Sequence, residues 1–187
     1  MAAETQKPDL VEVIISDHRQ VEQIFTELEG PLSPEARKQL TEHVITELVR
    51  HSVAEEQHMY PAARRVLDDG DRIADHELQE HAEAEQVMKD LEGLDADDPE
   101  FQRLLNRLIS DIRHHVEDEE KNLLPRLRAA CTQEELRELG AKVVKAKEWA
   151  PTRPHPSAPD TPPANKILAP GAGLIDRMRD ALSGRNS

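Results

Sequence analysis

One short pattern occurs twice in this chain, 64 positions apart. The two copies read VRHSVAEEQHMYP (49–61) and RHHVEDEEKNLLP (113–125). Each copy places a histidine four residues before a glutamate: His51 before Glu55, and His115 before Glu119. On a helix, that spacing puts both side chains on one face, one turn apart. An imidazole beside a carboxylate suits iron, manganese or zinc, so the repeat predicts a metal site built on helices.

The duplication extends beyond these copies. Residues 17–30 match residues 80–93 at an offset of 63, with His18 on His81. A helix pair of about sixty residues therefore occurs in tandem, at 10–67 and 73–130. Four of the nine histidines stand at matched positions in the two copies. Two similar halves can close a pseudo-symmetric metal site at the centre of one domain.

Apolar residues recur at helical spacing in four long segments, over about 9–29, 33–67, 71–92 and 98–130. Ser33 and Asp98 are predicted N-caps, each followed by a proline at the first helical position. Four long helices with short loops predict an all-α fold, an antiparallel up-down-up-down four-helix bundle. Pro61 and Pro125 lie inside the second and fourth helices and predict a kink just past the candidate ligands.

The C-terminal part of the chain has a different composition. Thr132 and Glu135 have capping-box spacing, which predicts a fifth helix over about 132–148 and a bundle domain over 1–148. Seven prolines then predict an extended arm over 149–172. A short amphipathic segment follows at 173–187, whose apolar stripe is expected to pack on the bundle or on another protein, with a disordered tail as the alternative. The stripe consists of Leu174, Ile175, Met178 and Leu182.

Composition excludes several classes of protein. The net charge of −14 argues against binding nucleic acid or anionic membranes. The single cysteine, Cys131, excludes a disulfide within the chain. The first residues lack the apolar stretch of a signal peptide, and no run approaches the roughly 18 apolar residues of a membrane span. We therefore expect a soluble, cytoplasmic protein, with a protein partner or a homodimer left open.

The candidate ligands are the four matched histidines and the two glutamates of the repeated pattern. They are His18, His51, Glu55, His81, His115 and Glu119. A single histidine is more often a structural residue than a ligand. Burying four imidazoles and two carboxylates in one bundle without a metal, however, would leave polar groups unpaired at several kcal/mol. The set therefore favours a metal centre.

Other polar residues near the pattern are assigned weaker roles. Glu22 and Glu85 follow His18 and His81 by one turn and are expected to lie around the ligands or on the surface. The carboxylates next to the ligand glutamates, at 56 and 120, point about 100° away from the ligand face and are expected to be solvated. Tyr60 is expected to pack at a helix edge, with a hydrogen bond donated near the site as the alternative. A ferritin-like site is disfavoured, because Glu-x-x-His occurs once, at 55–58, and the matching stretch ends in asparagine.

In order and spacing, these residues resemble the hemerythrin, or HHE cation-binding, family over residues 10–130. The resemblance implies a non-haem centre of two iron ions, oxo- or hydroxo-bridged, with the histidines as terminal ligands. Glu55 and Glu119 would bridge the irons. Oxygen-carrying hemerythrins have two ligand histidines four residues apart on the third helix, where this chain has Glu77 and His81. This difference favours reactivity over reversible oxygen carriage.

The resulting functional hypothesis is a di-iron protein that reacts with or senses dioxygen, hydrogen peroxide or nitric oxide under redox or iron stress. Peroxide-decomposing or ferroxidase-like activity would fit such a centre. One alternative is an iron or redox sensor, or an oxygen-binding protein, that acts without turnover. A second is a metal-free helical interaction module, which would keep its fold and partner without the two His-x-x-x-Glu pairs.

Overall fold

The computed structural model describes residues 7–183, and within that range the chain is helical and has no β-strand. Six helices follow one another there: α1 (Leu10–Leu28), α2 (34–66), α3 (Gly70–Glu92), α4 (99–130), α5 (Gln133–Trp149) and α6 (Ala164–Ser183). α2 and α4 are each interrupted by one π-helical turn, at Glu55–Met59 and Glu119–Leu123. None of these helices is long and apolar enough to cross a membrane.

The helices begin where the sequence provides side-chain caps. The Ser33 side chain accepts a hydrogen bond from the Ala36 N–H, and Asp98 accepts one from the Glu100 N–H. Thr132 begins α5 with a full capping box. These three predicted caps are confirmed. Each satisfies a backbone donor that the first turn of a helix leaves unpaired.

Helices α1 to α4 form the predicted antiparallel bundle. Lys38, near the start of α2, binds the Leu91 carbonyl near the end of α3 at 3.1 Å. Arg128, near the end of α4, lies 3.5 Å from the carboxylate of Asp9 at the start of α1. Neighbouring helices therefore run in opposite directions, which confirms the all-α, up-down-up-down architecture.

The apolar interior is divided into two clusters. One contains buried side chains from the later part of α1 and the earlier part of α2, with those of α3 and α4 at the same end of the bundle. The other contains side chains at the opposite end, including Leu10, Tyr60 and Leu127, together with the buried face of α5. The candidate ligands lie in a polar layer between the two clusters. This arrangement surrounds the layer with apolar side chains above and below.

Helix α5 packs against α1 and α2 and runs parallel to α1. Gln133 binds Asp9 at 3.0 Å, and Lys147 binds Asp17 at 2.6 Å. At the crossing, a Cβ on Gly140 would lie 2.8 Å from the Pro8 carbonyl oxygen. The backbones can approach this closely only because residue 140 has no side chain.

The predicted extent of the proline arm, 149–172, is wrong at its C-terminal end. Helix α6 begins at Ala164 and contains Pro170, so the irregular arm covers only 150–163. Pro162 and Pro163 stand just before the helix, where a fixed φ favours helix initiation. Pro170 removes one helical hydrogen bond. Contacts of buried Asn165 and Asp176 with the rest of the protein hold the helix on both sides of that proline.

The tail docks on the chain itself, and the described contacts include those of polar side chains. Ile175 is 52% exposed, whereas Asp176 and Asp180 are fully buried. Asp176 accepts hydrogen bonds from the backbone N–H groups of Thr152 and Arg153, both at 3.1 Å. An irregular arm has backbone donors that need acceptors, and these carboxylates provide them. The side chains of the other predicted stripe residues, Leu174, Met178 and Leu182, lie outside the described residues.

Docking of α6 is expected to weaken above neutral pH. His155 Nε2 lies 2.8 Å from Asp176, and this hydrogen bond raises the pKa of His155 above 6.5 despite partial burial. Burial acts to raise the pKa of Asp176, but His155 outweighs it and the pKa falls below 3.8. The histidine's contribution is complete below pH 6.5 and is lost as pH rises through its raised pKa. The aspartate's contribution is present above pH 3.8 and is lost as pH falls through its lowered pKa.

Emission of Trp149, the single tryptophan, reports on this contact, because its carbonyl oxygen lies against Gly173 of α6. We expect the wild-type emission to change as pH rises above about 6.5, and the His155→Gln protein to show a flat profile there. Identical pH profiles for the two proteins would show that the His155–Asp176 hydrogen bond does not contribute to docking.

Candidate metal centre

The six predicted ligands come together in the polar layer between the two apolar clusters. All six side chains are at least nine-tenths buried. In one group, donor atoms of His18, His51, Glu55 and Glu119 lie within 4.8 Å of one another. A second group combines Glu55 with His81 and His115. Glu55 therefore belongs to both groups.

These distances between donor atoms are close to those around a bound metal ion. Nitrogen and oxygen atoms bind an ion such as zinc at about 2.0–2.2 Å, so two donor atoms on one ion lie at most about 4.4 Å apart. In a third group, Glu119 joins Glu77 and His115, so both glutamates of the repeated pattern connect the two halves of the site. Glu55 and Glu119 are thus each common to two of the three groups.

All four histidines turn Nε2 toward the centre and Nδ1 toward an outer carboxylate. The inner atoms lie close to one another: His51 Nε2 is 3.0 Å from Glu55, and the Nε2 atoms of His81 and His115 are 3.3 Å apart. A carboxylate that accepts the Nδ1 proton leaves the Nε2 lone pair free for a metal. The Nδ1–carboxylate pairs are His18–Glu120 (2.9 Å), His51–Asp17 (3.4 Å), His81–Glu56 (3.0 Å) and His115–Glu80 (2.8 Å).

Four ligand atoms at the centre are buried and make no hydrogen bond of good geometry among the residues at 7–183. They lie in two close pairs, His18 Nε2 with Glu119 Oε2 at 3.3 Å and His51 Nε2 with Glu55 Oε1 at 3.0 Å. Leaving such an atom unsatisfied costs about 1–3 kcal/mol, and more where it is charged. All four face the same space, and imidazole nitrogens with carboxylate oxygens form a ligand set that suits iron. The residues present therefore fit a metal centre.

The electrostatics of the layer keep the Glu55 carboxylate ionised. Burial would raise the pKa of Glu55, but His51 and His81 hold it well below its usual range. Burial acts to lower the pKa of His51, and the carboxylates of Glu55 and Asp17 outweigh it and raise the pKa to about 10. Cations that enter the centre must therefore displace protons from the imidazoles, which couples metal binding to proton release.

The π turns determine how the two shared glutamates enter the centre. Each turn begins at the glutamate of the repeated pattern and ends just before a dipeptide that contains a proline, Tyr60-Pro61 or Leu124-Pro125. The N–H groups of Tyr60 and Leu124 bond back five residues, to the Glu55 and Glu119 carbonyls. A π turn next to the ligand glutamate thus precedes each proline in the helix. The helix is therefore locally widened at the ligands, just before each proline where a kink is predicted.

Tyr60 lies inside the centre, and its predicted place at a helix edge is wrong. The side chain is 1% exposed. Its hydroxyl donates to Glu119 at 3.0 Å and lies 3.0 Å from His81 Nε2. Burial and the surrounding carboxylates raise the pKa of Tyr60 well above 10, so the phenol keeps its proton and acts as a hydrogen-bond donor. The internal repeat did not identify Tyr60 as a site residue, because the matched position in the second copy is Leu124.

The prediction that Glu56 and Glu120 are solvated is also wrong. Glu56 accepts the His81 Nδ1 hydrogen bond, and Glu120 accepts that of His18. A face 100° from the ligands is not a solvent face here, because the adjacent helix covers it. Glu22 binds Arg113, at 2.7 and 3.0 Å.

Three further carboxylates near the centre were not singled out as histidine partners. Asp17 and Glu80 each precede a matched histidine and occupy matched positions themselves, so the duplication contained a signal for them. Glu77 is 1% exposed and lies 3.0 Å from His115 Nδ1. Burial raises the pKa of Glu77, and attraction to His115 offsets this only in part. Its matched position is Ile14, so Glu77 makes the two halves of the centre unlike.

Removing an outer carboxylate is expected to weaken metal binding without abolishing it. The Glu120→Ala substitution frees the His18 ring, and the loss of such a partner lowers metal affinity by about 10- to 100-fold. Competition with a chelator measures the change. Glu117→Ala is the matched control, since Glu117 is an exposed acid of the same helix. Equal affinities in the two variants would show that Glu120 does not support the ligand.

Comparison with known proteins places this geometry in a family. The sequence model of the hemerythrin HHE cation binding domain matches residues 9–127. An uncharacterized hemerythrin-like protein of Schizosaccharomyces pombe is 26% identical over 172 residues, which cover 91% of this chain and 85% of that protein. A DNA nickase of a Nostoc species is 25% identical over 145 residues, or 78% of this chain and 41% of the nickase.

A solved structure has the same fold. The crystal structure of a hemerythrin HHE cation binding domain-containing protein from Mycobacterium kansasii aligns with a TM-score of 0.65 and 22% identity, covering 75% of this chain and 86% of that one. The family model spans more than half of the chain and contains all six candidate ligands. This chain therefore belongs to the hemerythrin HHE cation-binding domain family.

Proposed function

We propose that the protein holds two iron ions in the polar layer and reacts there with dioxygen, hydrogen peroxide or nitric oxide, in the cytoplasm. The supporting observation is the orientation of the four histidines, each with Nε2 inward and Nδ1 on a carboxylate. His18 and His51 would ligate one ion, and His81 and His115 the other. Glu55 and Glu119 would be shared.

Bound iron would supply redox chemistry and positions open to a small ligand. The chain's own residues prepare the surroundings. Four side chains per ion leave room for a small molecule on a metal that takes up to six ligands. Tyr60 directs its phenolic proton at Glu119, so a proton donor lies within the centre. The apolar clusters on both sides limit the access of water.

The residues around the second ion favour reactivity over reversible carriage. Glu77 adds a buried carboxylate beside His115, on the side where the centre also holds Tyr60. Additional negative charge stabilises the ferric state relative to the ferrous state. The reduced protein is therefore expected to oxidise readily instead of releasing dioxygen intact.

Addition of hydrogen peroxide to the iron-loaded protein tests this proposal. We expect dioxygen evolution, with two molecules of peroxide giving two of water and one of dioxygen. The Glu119→Gln protein should evolve none, and Glu117→Gln should match the wild type. A wild-type protein that forms a stable oxygenated species, released intact under vacuum, and leaves peroxide unchanged would instead be a carrier.

Sensing is a second candidate, and the position of Glu56 favours it. This side chain binds His81 and also lines a cleft beneath the C-terminal tail. A change of charge at the metals can therefore alter the position of Glu56 and, through Glu56, the contacts of the tail. Limited proteolysis of iron-loaded and iron-free protein tests this candidate. Sensing predicts different cleavage within 150–183, whereas equal cleavage together with rapid peroxide turnover indicates an enzyme.

A further inference from the structure

The arm and helix α6 lie across the groove between α2 and α3 and cover a cleft. Three contacts fix them there: Thr46 to the Thr152 carbonyl at 3.2 Å, Gln57 to the Asn165 carbonyl at 3.3 Å, and the His155 N–H to Glu85 at 2.7 Å. The cleft has a cavity volume of about 70 Å³. Its walls are mainly apolar and include Val49, Val53, Met88, Pro151, Ala169 and Ala172.

The polar groups that line this cleft are three carboxylates, Ser52, Asn165 and two histidines, His81 and His155. Carboxylates come from Glu56 of α2, Glu85 of α3 and Asp160 of the arm. Asn165 of α6 is 3% exposed, and its Oδ1 has no hydrogen bond within the range 7–183. Its Nδ2 already donates to the Asp160 carbonyl at 2.8 Å. The cleft thus combines an unsatisfied buried acceptor with three carboxylates.

A metal ion does not fit this arrangement. Among the described histidines, cysteines and acidic residues, the groups with three or more ligand atoms close together are those of the metal centre, and none includes Glu85 or Asp160. An anion does not fit either, because three carboxylates face two histidines around the cleft. Burial raises the pKa of Glu85, and the charge of Asp160 raises it further, while the His155 N–H and the charges of His155 and His81 act to lower it. The matching ligand is a cation that donates several hydrogen bonds and has an apolar body.

We propose that the cleft beneath the tail binds a small organic ammonium ion. An ammonium group has three N–H donors and no acceptor, which complements Asn165 Oδ1 and the neighbouring carboxylates. A short hydrocarbon body would lie against the valine, methionine and proline side chains. Binding pockets generally have this composition, with apolar walls and a few converging polar groups. This site lies beside the metal centre, and Glu56 and His81 border both.

Calorimetric titration of the full-length, iron-loaded protein with three ligands of equal chain length tests the proposal. At pH 7, n-butylamine is expected to bind at least ~10-fold tighter than n-butanol, since hydrogen bonds between charged groups are about twice as strong as neutral ones. Butyrate is expected not to bind. Absence of butylamine binding, or equal affinity for the amine and the alcohol, would overturn the proposal.

Variants separate this site from nonspecific attraction to an acidic protein. Glu85→Gln and Asp160→Asn should each weaken butylamine binding by about 10-fold or more, as expected for loss of a charged hydrogen bond, and leave butanol binding unchanged. Glu83→Gln is the matched control on the exposed face of α3 and should bind as the wild type does. Wild-type affinity in both cleft variants would refute the site.

Filling the cleft provides an independent test. Ala169 is 9% exposed and lines the cleft from α6, so Ala169→Phe should remove butylamine binding. Trp149 emission and the thermal midpoint would establish that this variant keeps its fold and its docked tail. If Ala169→Phe loosens the tail, the two acid variants decide the outcome alone. Undiminished binding in a folded, docked Ala169→Phe protein would place the amine elsewhere.

Discussion

The Glu119→Gln protein is expected to lose most of its iron while keeping its fold. Glu119 is fully buried and belongs to both halves of the centre, so one substitution removes a ligand from each ion. Glutamine keeps the size and one acceptor, but its amide nitrogen is a donor and cannot ligate a metal. The loss of affinity should exceed the roughly 10- to 100-fold that loss of an outer hydrogen-bond partner produces.

Metal analysis after desalting measures this effect, and the circular dichroism of the helices verifies the fold. Glu117→Gln is the matched control, because it makes the same chemical change two residues earlier on the exposed face of α4. We expect the control to retain the iron content of the wild type. A Glu119→Gln protein with full iron content would show that the carboxylate is not a shared ligand.

Removing the metal is expected to lower the stability of the bundle substantially. Without it, four buried ligand atoms have only each other as partners, in two pairs that miss hydrogen-bond geometry. A poorly satisfied buried group costs about 1–3 kcal/mol, which gives roughly 2–6 kcal/mol for the two pairs. For a chain of this size, that loss lowers Tm by roughly 4–24 °C. Ligands that bind only the folded state stabilise it further by mass action.

Thermal melts with and without chelator test this expectation. The wild-type midpoint should fall when the metal is removed, and the midpoint of the Glu119→Gln protein should not respond to chelator. A wild-type midpoint that is independent of metal would mean that the imidazoles and carboxylates satisfy one another. Such a result would support a metal-free helical module.

The sequence predicted those parts of the centre that are encoded locally. His51 and Glu55 lie one turn apart on one helix, and the internal repeat identified them twice. The caps at Ser33, Asp98 and Thr132 are equally local, and so the bundle and its loops were predictable. Each of these features depends on residues within four positions of one another.

Features that depend on the register between helices were not predictable. His18 and Glu120 are 102 residues apart in the chain, and their contact depends on the relative height of α1 and α4. Sequence fixes that height only within about a turn. The same uncertainty concealed the position of Tyr60. The burial of Asp176 in the tail was also not predictable, since a polar side chain is usually exposed. The donors that satisfy it lie more than twenty residues earlier in the chain.

Anaerobic titration of the metal-free protein with ferrous iron tests the central claim most directly. The two groups of ligands that share Glu55 and Glu119 predict a break point at two irons per chain. The His51→Ala and His115→Ala proteins should each bind less iron, since each removes a ligand from a different ion. A wild-type protein that takes up no iron, or variants that bind as much iron as the wild type, would contradict the assignment of this layer as a di-iron centre.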